Sequence, residues 1–105
     1  DDFIVPDCTV CGGLLKPDVV FFGEFVPTRK FQLGAALVDQ SDALIVAGSS
    51  LVVNSGIRLV ERAMRKQIPL VIINRGTTKA DRRANVKIDG GASAVLSELV
   101  KRLAA

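Results

Sequence analysis

Four short runs of apolar residues without polar alternation constrain this chain more than any other feature. They lie at residues 18–22 (DVVFF), 43–47 (ALIVA), 69–73 (PLVII) and, more weakly, 86–88. A strand with one face in water alternates apolar and polar residues, whereas a strand buried on both faces is apolar throughout. The four runs therefore predict the strands of a parallel β-sheet that is covered by helices.

The segments between these runs predict helices. Apolar side chains recur at helical spacing over residues 31–38, then at Ile57, Val60, Ala63 and Met64, and finally at Val95, Leu96, Leu99, Val100 and Leu103. Asn54 or Ser55 is a candidate N-cap for the second helix and Ser93 for the last. Alternation of strand and helix predicts an α/β fold with right-handed crossovers.

Size and charge exclude several classes of function. A chain of 105 residues suffices for one small core, and its longest apolar runs are far shorter than the roughly 20 residues that span a bilayer. The net charge of +3 is dispersed, and the chain has neither Tyr nor Trp for base stacking. We therefore expect neither membrane insertion nor nucleic-acid binding.

Cys8 and Cys11 form a C-x-x-C pair that is followed by two glycines. Structural zinc takes four ligands, and the chain has no other cysteine and no histidine. The pair is therefore half of a zinc site, a redox pair, or an unmetallated pair. Zinc binding and redox activity of the thiols both favour a reducing compartment, and we expect a cytoplasmic location.

Polar residues follow two of the predicted strands. Gly48, Ser49 and Ser50 come directly after the run at 43–47, and Asn74 follows the run at 69–73. Open α/β sheets bind ligands at the carboxyl ends of their strands, and an Asn there can hydrogen-bond a ribose diol. An ordinary turn explains each segment equally well by itself, but two polar strand ends together favour a nucleotide site.

The run at 18–22 ends in Gly23 and Glu24. On local grounds Phe21 and Phe22 are more typical of a core than of a binding site. The chain contains no G-x-G-x-x-G loop and no P-loop, and a Ser-His-Asp triad is impossible without histidine.

Three stretches taken in order, CTVCGGLLKPDVVFFGEFVP, VAGSSLVV and IINRG, resemble the carboxyl-terminal half of the sirtuins. Sirtuins are NAD-dependent protein lysine deacylases, which transfer an acyl group from lysine to ADP-ribose and release nicotinamide. The stretch GSSLVVNSG is most similar to the class that contains mitochondrial lipoamidase, ADP-ribosyltransferase-like and related bacterial members. The resemblance implies a zinc-module remnant at residues 1–17 and half of a Rossmann-type NAD-binding domain at residues 18–105.

The resemblance also implies roles for individual residues. Cys8 and Cys11 would be the second cysteine pair of a structural zinc site. Contacts to NAD would come from Gly48, Ser49, Ser50, Asn74, Arg75, Gly91 and Ala92. The acyl-lysine substrate would contact Val20, Phe22, Gly23 and Glu24, the last two by pairing with the peptide backbone as an added strand.

The sirtuin catalytic His, glycine-rich NAD loop and nicotinamide-pocket motif have no counterpart in this sequence. We therefore expect the chain to be a piece of a longer enzyme that is inactive by itself. We expect it to form a dimer or a domain-swapped assembly through an exposed apolar strand edge. The alternatives are a nucleotide-binding module without catalysis and a small zinc or redox protein.

Overall fold

The computed structural model describes residues 4–21 and 23–104. The helices are α1 (Thr28–Asp39), α2 (Asn54–Arg65) and α3 (Ala92–Ala104), the strands are β1 (Leu44–Ala47), β2 (Leu70–Ile73) and β3 (Val86–Ile88), and a 3-10 turn covers Asp81–Arg83. Within these residues, no helix is long and apolar enough to cross a bilayer.

The three strands form one parallel sheet in the order β1-β2-β3. Leu44 pairs with Leu70, and Ile73 at the end of β2 lies between Ala47 and Ile88. The prediction of a parallel α/β layer with flanking helices is confirmed. The unbroken apolar pattern suits β2 best, because this central strand is almost completely buried.

The predicted strand at 18–22 is wrong for residues 18–21, and Phe22 lies outside the described residues. Residues 18–21 pair with no strand of the described chain. The Val19 N–H instead donates to the Pro17 carbonyl at 2.8 Å, and Val19, Val20 and Phe21 are exposed. A β-prone run forms a strand only when it pairs with a neighbouring strand, and residues 18–21 do not do so within the described chain.

The predicted helix caps are also wrong. Helix α2 begins at Asn54, and the residue before it, Val53, has extended backbone and provides no side-chain cap. Helix α3 begins at Ala92, so Ser93 lies within the first turn and not before it. The chain enters α2 directly from an extended segment, so that Asn54 and Ser55 are already helical.

The core is small and lies between α2 and the sheet. Leu51, Val60, Leu70, Ile72 and Ala80 form one buried cluster. Leu51 is buried although its φ is +61°, a left-handed conformation that side chains rarely adopt. Packing of its side chain in the cluster offsets the strain of this turn, which leads from β1 to α2.

Helix α1 is attached to α2 by an ion pair. The Asp39 carboxylate accepts two hydrogen bonds from Arg62, both at 2.6 Å, and Lys66 Nζ lies 3.7 Å from it. The bonds from Arg62 hold the pKa of Asp39 below its usual value, with a smaller contribution from Lys66. Two parallel bonds between a guanidinium and a carboxylate also fix the orientation of the two helices.

This ion pair predicts a pH-dependent stability. Because the pKa of Asp39 is lowered by folding, its contribution is complete above its unfolded value of about 3.9 and is lost as the pH falls through the folded value. Urea unfolding should show wild type more stable than Asp39→Asn near neutral pH, with the difference shrinking below about pH 4. Asp42→Asn, at an exposed position nearby, is the control, and equal pH profiles for wild type and Asp39→Asn would contradict the prediction.

Candidate functional site

The three strands end side by side and bring three turns to one edge of the sheet. Gly48 follows β1 with φ +72°, and its N–H donates to the Ile73 carbonyl at 2.8 Å. A Cβ on Gly48 would lie 3.6 Å from Ala92 Cβ at the start of α3. The Gly48 backbone is therefore close to the turns that follow both β2 and β3.

Ser49 and Ser50 support this turn. The Ser49 hydroxyl accepts the N–H of Leu51 at 3.1 Å, and the Ser50 carbonyl accepts the N–H of Lys79 at 3.1 Å. Both residues are exposed. Ser49 stabilises the turn after β1 itself, and Ser50 connects this turn to the segment after β2.

Asn74 and Arg75 form the turn after β2. The Asn74 N–H donates to the Ile88 carbonyl at 3.1 Å, and its carboxamide nitrogen donates to the Arg75 carbonyl at 3.1 Å. No donor in the described chain bonds to the Asn74 carboxamide oxygen. That oxygen is available to accept a hydrogen bond from a ligand.

A polar cluster that the sequence analysis missed holds the segment after this turn. The Thr78 hydroxyl donates to Asp81 at 2.5 Å, and Lys87 Nζ donates to Asp81 at 3.0 Å and to the Gly76 carbonyl at 2.8 Å. The bonds from Thr78 lower the pKa of Asp81, and Lys87 adds to this effect. A Thr and an Asp three residues apart are the available signal, since Thr-x-x-Asp is typical of a side-chain-stabilised turn.

An open cavity of about 450 Å³ lies between these turns. It is lined by Gly48, Asn74, Arg75, Gly90, Gly91, Ala92, Ser93 and Ala94. The structure thus brings together five of the seven residues predicted to contact NAD. Ser49 and Ser50 do not line the cavity, and the role of all seven in NAD binding stays a prediction.

A larger cleft of about 820 Å³ lies beside the segment at residues 20–26. Val20, Gly23 and Glu24, three of the predicted substrate contacts, line it, and the fourth, Phe22, lies outside the described residues. The cleft is also lined by Phe21, Phe25, Val26, Thr28, Phe31, Val53, Asn54, Ser55 and Arg58. It combines an apolar wall with a polar rim.

Arg58 is a residue of this cleft that the sequence analysis missed. Its guanidinium lies 4.2 Å from the centre of the Phe31 ring, which is a cation–π contact between α2 and α1. A single Arg in a helix predicts only a solvent-exposed charge. The partners are 27 positions apart, so no local pattern indicates their contact.

Cys8 and Cys11 lie on a tight turn. The Gly12 N–H donates to the Cys8 carbonyl at 2.9 Å, and Asp7 and Leu14 form an antiparallel bridge across the turn. The pKa of the Cys8 thiol is lowered chiefly by the N–H of Cys11, and the Val10 N–H and the Cys11 thiol add to this. No group of three possible metal ligands occurs in the described residues, so the donor set found there does not complete a zinc site.

Comparison with known proteins then decides the family. A sequence model of a protein family, described as "Sir2 family", matches residues 2–55, which are more than half of the chain. The chain belongs to the Sir2 family. Its α/β fold and the blocks quoted above are those of a sirtuin core.

Curated sirtuins resemble nearly all of the chain. "NAD-dependent protein deacetylase 1" of Mycobacterium avium (strain 104) is 50% identical over 97 residues, which are 92% of this chain and 34% of that protein. "NAD-dependent protein deacetylase" of Bordetella pertussis is 46% identical over 98 residues, 93% of this chain and 36% of that protein. The chain thus spans about a third of the length of these curated relatives, and the finer sirtuin class stays a prediction.

Solved sirtuin structures share the fold. A Sir2 structure bound to acetylated peptide is 33% identical with a TM-score of 0.79, and the match covers 93% of this chain and 41% of that one. A Sir2 structure with a p53 peptide and NAD+ gives 33% identity and a TM-score of 0.77 over the same shares.

A side chain at Gly48 should destabilise the turn after β1. Gly48→Ala places a Cβ in a left-handed conformation and should lower the free energy of unfolding by about 1–2 kcal/mol. Gly34→Ala is the matched control, since Gly34 lies in α1 with only ordinary contacts to Leu59, and it should raise stability by up to about 1 kcal/mol. Urea unfolding measures both, and equal effects would contradict the argument.

Proposed function

We propose that this chain supplies the adenosine-binding and peptide-binding half of an NAD-dependent protein lysine deacylase. One observation carries the proposal: a single segment joins the two cavities. Gly48 at its start lines the 450 Å³ cavity, and Val53 at its end lines the 820 Å³ cleft. A nucleotide in the smaller cavity and an acylated peptide in the larger cleft would therefore contact opposite ends of the same six-residue segment, 48–53.

The smaller cavity suits the adenosine part of NAD. Gly48 permits close approach to the backbone, the free oxygen of Asn74 would accept a bond from a ribose hydroxyl, and the small Ala92 leaves space beside the base. Ser49 and Ser50 would act from the adjoining turn. When bound, NAD supplies the ADP-ribose that accepts the acyl group and nicotinamide as the leaving group.

The larger cleft suits an extended peptide with an apolar modified lysine. Val20, Phe21 and Phe25 present apolar surface, and the backbone at Gly23 and Glu24 would pair with the peptide as an added strand. The Glu24 N–H already donates to the Phe21 carbonyl at 3.0 Å, so pairing at this residue would use its carbonyl. Sir2 relatives bound to acetylated and propionylated peptides support this assignment.

Catalysis would need groups that this chain lacks. It contains no histidine to act as general base, and removal of a base typically lowers a rate by about 10²–10⁴. We infer that the chain is part of a longer enzyme and is inactive alone.

The activity assay is direct. The purified chain, mixed with NAD and an acetyl-lysine peptide, should release no nicotinamide above background, whereas the complete reading frame that contains it should deacetylate the peptide. In that longer protein, Asn74→Ala should raise the KM for NAD by about threefold to tenfold and leave the KM for the peptide within about twofold, because one hydrogen bond to the ribose is lost. Arg102→Ala, in the last turn of α3, is the control. Turnover by the chain alone, or an unchanged KM for NAD in Asn74→Ala, would contradict the proposal.

A stand-alone ADP-ribose-binding module is the second candidate. It would use the same residues around the smaller cavity, among them Gly48, Asn74 and Gly91. A micromolar dissociation constant for ADP-ribose and the 105-residue chain would support this second candidate. A millimolar dissociation constant would support the first candidate, in which the chain forms only half of the binding site of a longer enzyme.

The free edge of β1 and several exposed apolar side chains predict self-association. In the described sheet β1 pairs only with β2, and Ile45, Val20 and Phe21 are 48%, 38% and 51% exposed. Free strand edges and apolar patches of this kind pair with other chains. We propose a dimer or domain-swapped assembly in which two Cys8–Cys11 pairs share one zinc.

Light scattering at micromolar concentrations should give a dimer mass, and metal analysis about half an equivalent of zinc per chain, because zinc takes four ligands. Cys8→Ser should abolish zinc binding and leave any dimer formed through the β1 edge, which separates the two contributions. A monomer throughout this concentration range would contradict the proposal.

A further inference from the structure

Lys87 is the middle residue of β3, where it pairs with Ile72 of β2. It is half-buried, whereas its apolar neighbours in the same strand, Val86 and Ile88, are exposed. A charged side chain is seldom buried more than the apolar residues beside it unless polar groups bind it. The bonds that Lys87 makes therefore indicate a specific role for its charge.

The ammonium of Lys87 holds both ends of the segment at residues 76–81. Its Nζ donates to the Gly76 carbonyl at 2.8 Å and to the Asp81 carboxylate at 3.0 Å. Asp81 also accepts the N–H of Thr78 at 3.0 Å and its hydroxyl at 2.5 Å. One side chain of β3 thus closes segment 76–81 into a loop, with charge-assisted bonds that are stronger than neutral ones.

Segment 76–81 lies directly against the segment at residues 48–53. The Lys79 N–H donates to the Ser50 carbonyl at 3.1 Å, and Ala80, which is completely buried, belongs to the same core cluster as Leu51. A residue with the left-handed backbone of Leu51 keeps that conformation only when its surroundings hold it there. The conformation of segment 48–53 therefore depends on contacts from segment 76–81.

We propose that Lys87 is a positioning residue for segment 48–53, although it is not among the described residues that line either cavity. Its ammonium fixes segment 76–81, which in turn holds segment 48–53 through the bond from Lys79 to Ser50 and the packing of Ala80. The inference rests on the proposed function, in which the two ends of segment 48–53 contact the nucleotide and the peptide. A segment that is fixed in advance loses less conformational entropy on binding, so Lys87 contributes to the affinity for both ligands.

Amide hydrogen exchange in the 105-residue chain, measured by NMR, tests the effect on segment 48–53 without any ligand. Lys87→Met removes the ammonium and keeps an unbranched side chain. The amides of Lys79 and Leu51, whose acceptors lie in segment 48–53, should then exchange at least about tenfold faster, as expected for the loss of a charge-assisted hydrogen bond. The amides of the β1–β2 ladder should change by less than about twofold, because a local opening leaves the sheet paired.

Steady-state kinetics of the longer enzyme test the effect on binding. Lys87→Met should raise the KM for NAD and the KM for the peptide by about threefold to tenfold each and leave kcat within about twofold, because Lys87 contacts no reacting atom. Lys87→Arg, which can donate to both acceptors, should recover most of the lost affinity. Lys101→Met is the matched control, since it makes the same change at an exposed position in the last turn of α3, and it should alter neither KM.

The contrary outcomes separate this inference from the proposed function. If Lys87→Met speeds exchange equally at all amides, or at none, Lys87 does not position segment 48–53, and the proposed function stands without it. If exchange rises locally but both KM values stay at the wild-type level, segment 48–53 does not contact the ligands, and the proposed function is wrong together with the inference. If only one KM rises, the role of Lys87 in binding both ligands is wrong.

Discussion

The parallel pairing of β1 with β2 determines where everything else in this structure lies. It continues one residue beyond the strands, where the Gly48 N–H donates to the Ile73 carbonyl. Because both strands run in the same direction, the turns after them must emerge at the same edge. The segment from Gly48 to Val53 begins at this edge, and Val53 at its end lines the larger cleft beside α1. One ladder of backbone hydrogen bonds therefore places both candidate binding surfaces.

Polar contacts within the chain make the turns rigid and leave specific groups free. Ser50 is tied to Lys79, and Thr78, Asp81 and Lys87 hold the segment after β2. Among the described residues, no hydrogen bond uses the Asn74 carboxamide oxygen or the Arg75 guanidinium, and both residues line the smaller cavity. A ligand would thus meet groups already in place, which is the arrangement that lowers the cost of binding.

The sequence was informative where the physical cause is local. Continuous apolar runs predicted β1, β2 and β3, and the position of Gly48 and Asn74 after two such runs predicted that they would lie together. The run at 18–22 failed because a strand needs a partner edge, which no local pattern supplies. The contact of Arg58 with Phe31 could not be predicted either, because the two residues lie far apart in the sequence. Lys87 was missed because its partners come from a different segment of the chain.

The distribution of burial links the stability of this chain to its binding. Central β2 is buried on both faces, with Leu70, Ile72 and Ile73 no more than 1% exposed, whereas Ile45 of β1 is 48% exposed and α3 has no buried residue among those described. Helix α3 nevertheless forms one wall of the smaller cavity through Ala92, and Gly91, which directly precedes the helix, also lines it. Anything that binds there favours the folded over the unfolded chain by mass action. Ligand affinity and the docking of α3 are therefore coupled, and a ligand that binds Asn74, Arg75 and Gly91 together would stabilise the least buried helix against the rest of the sheet.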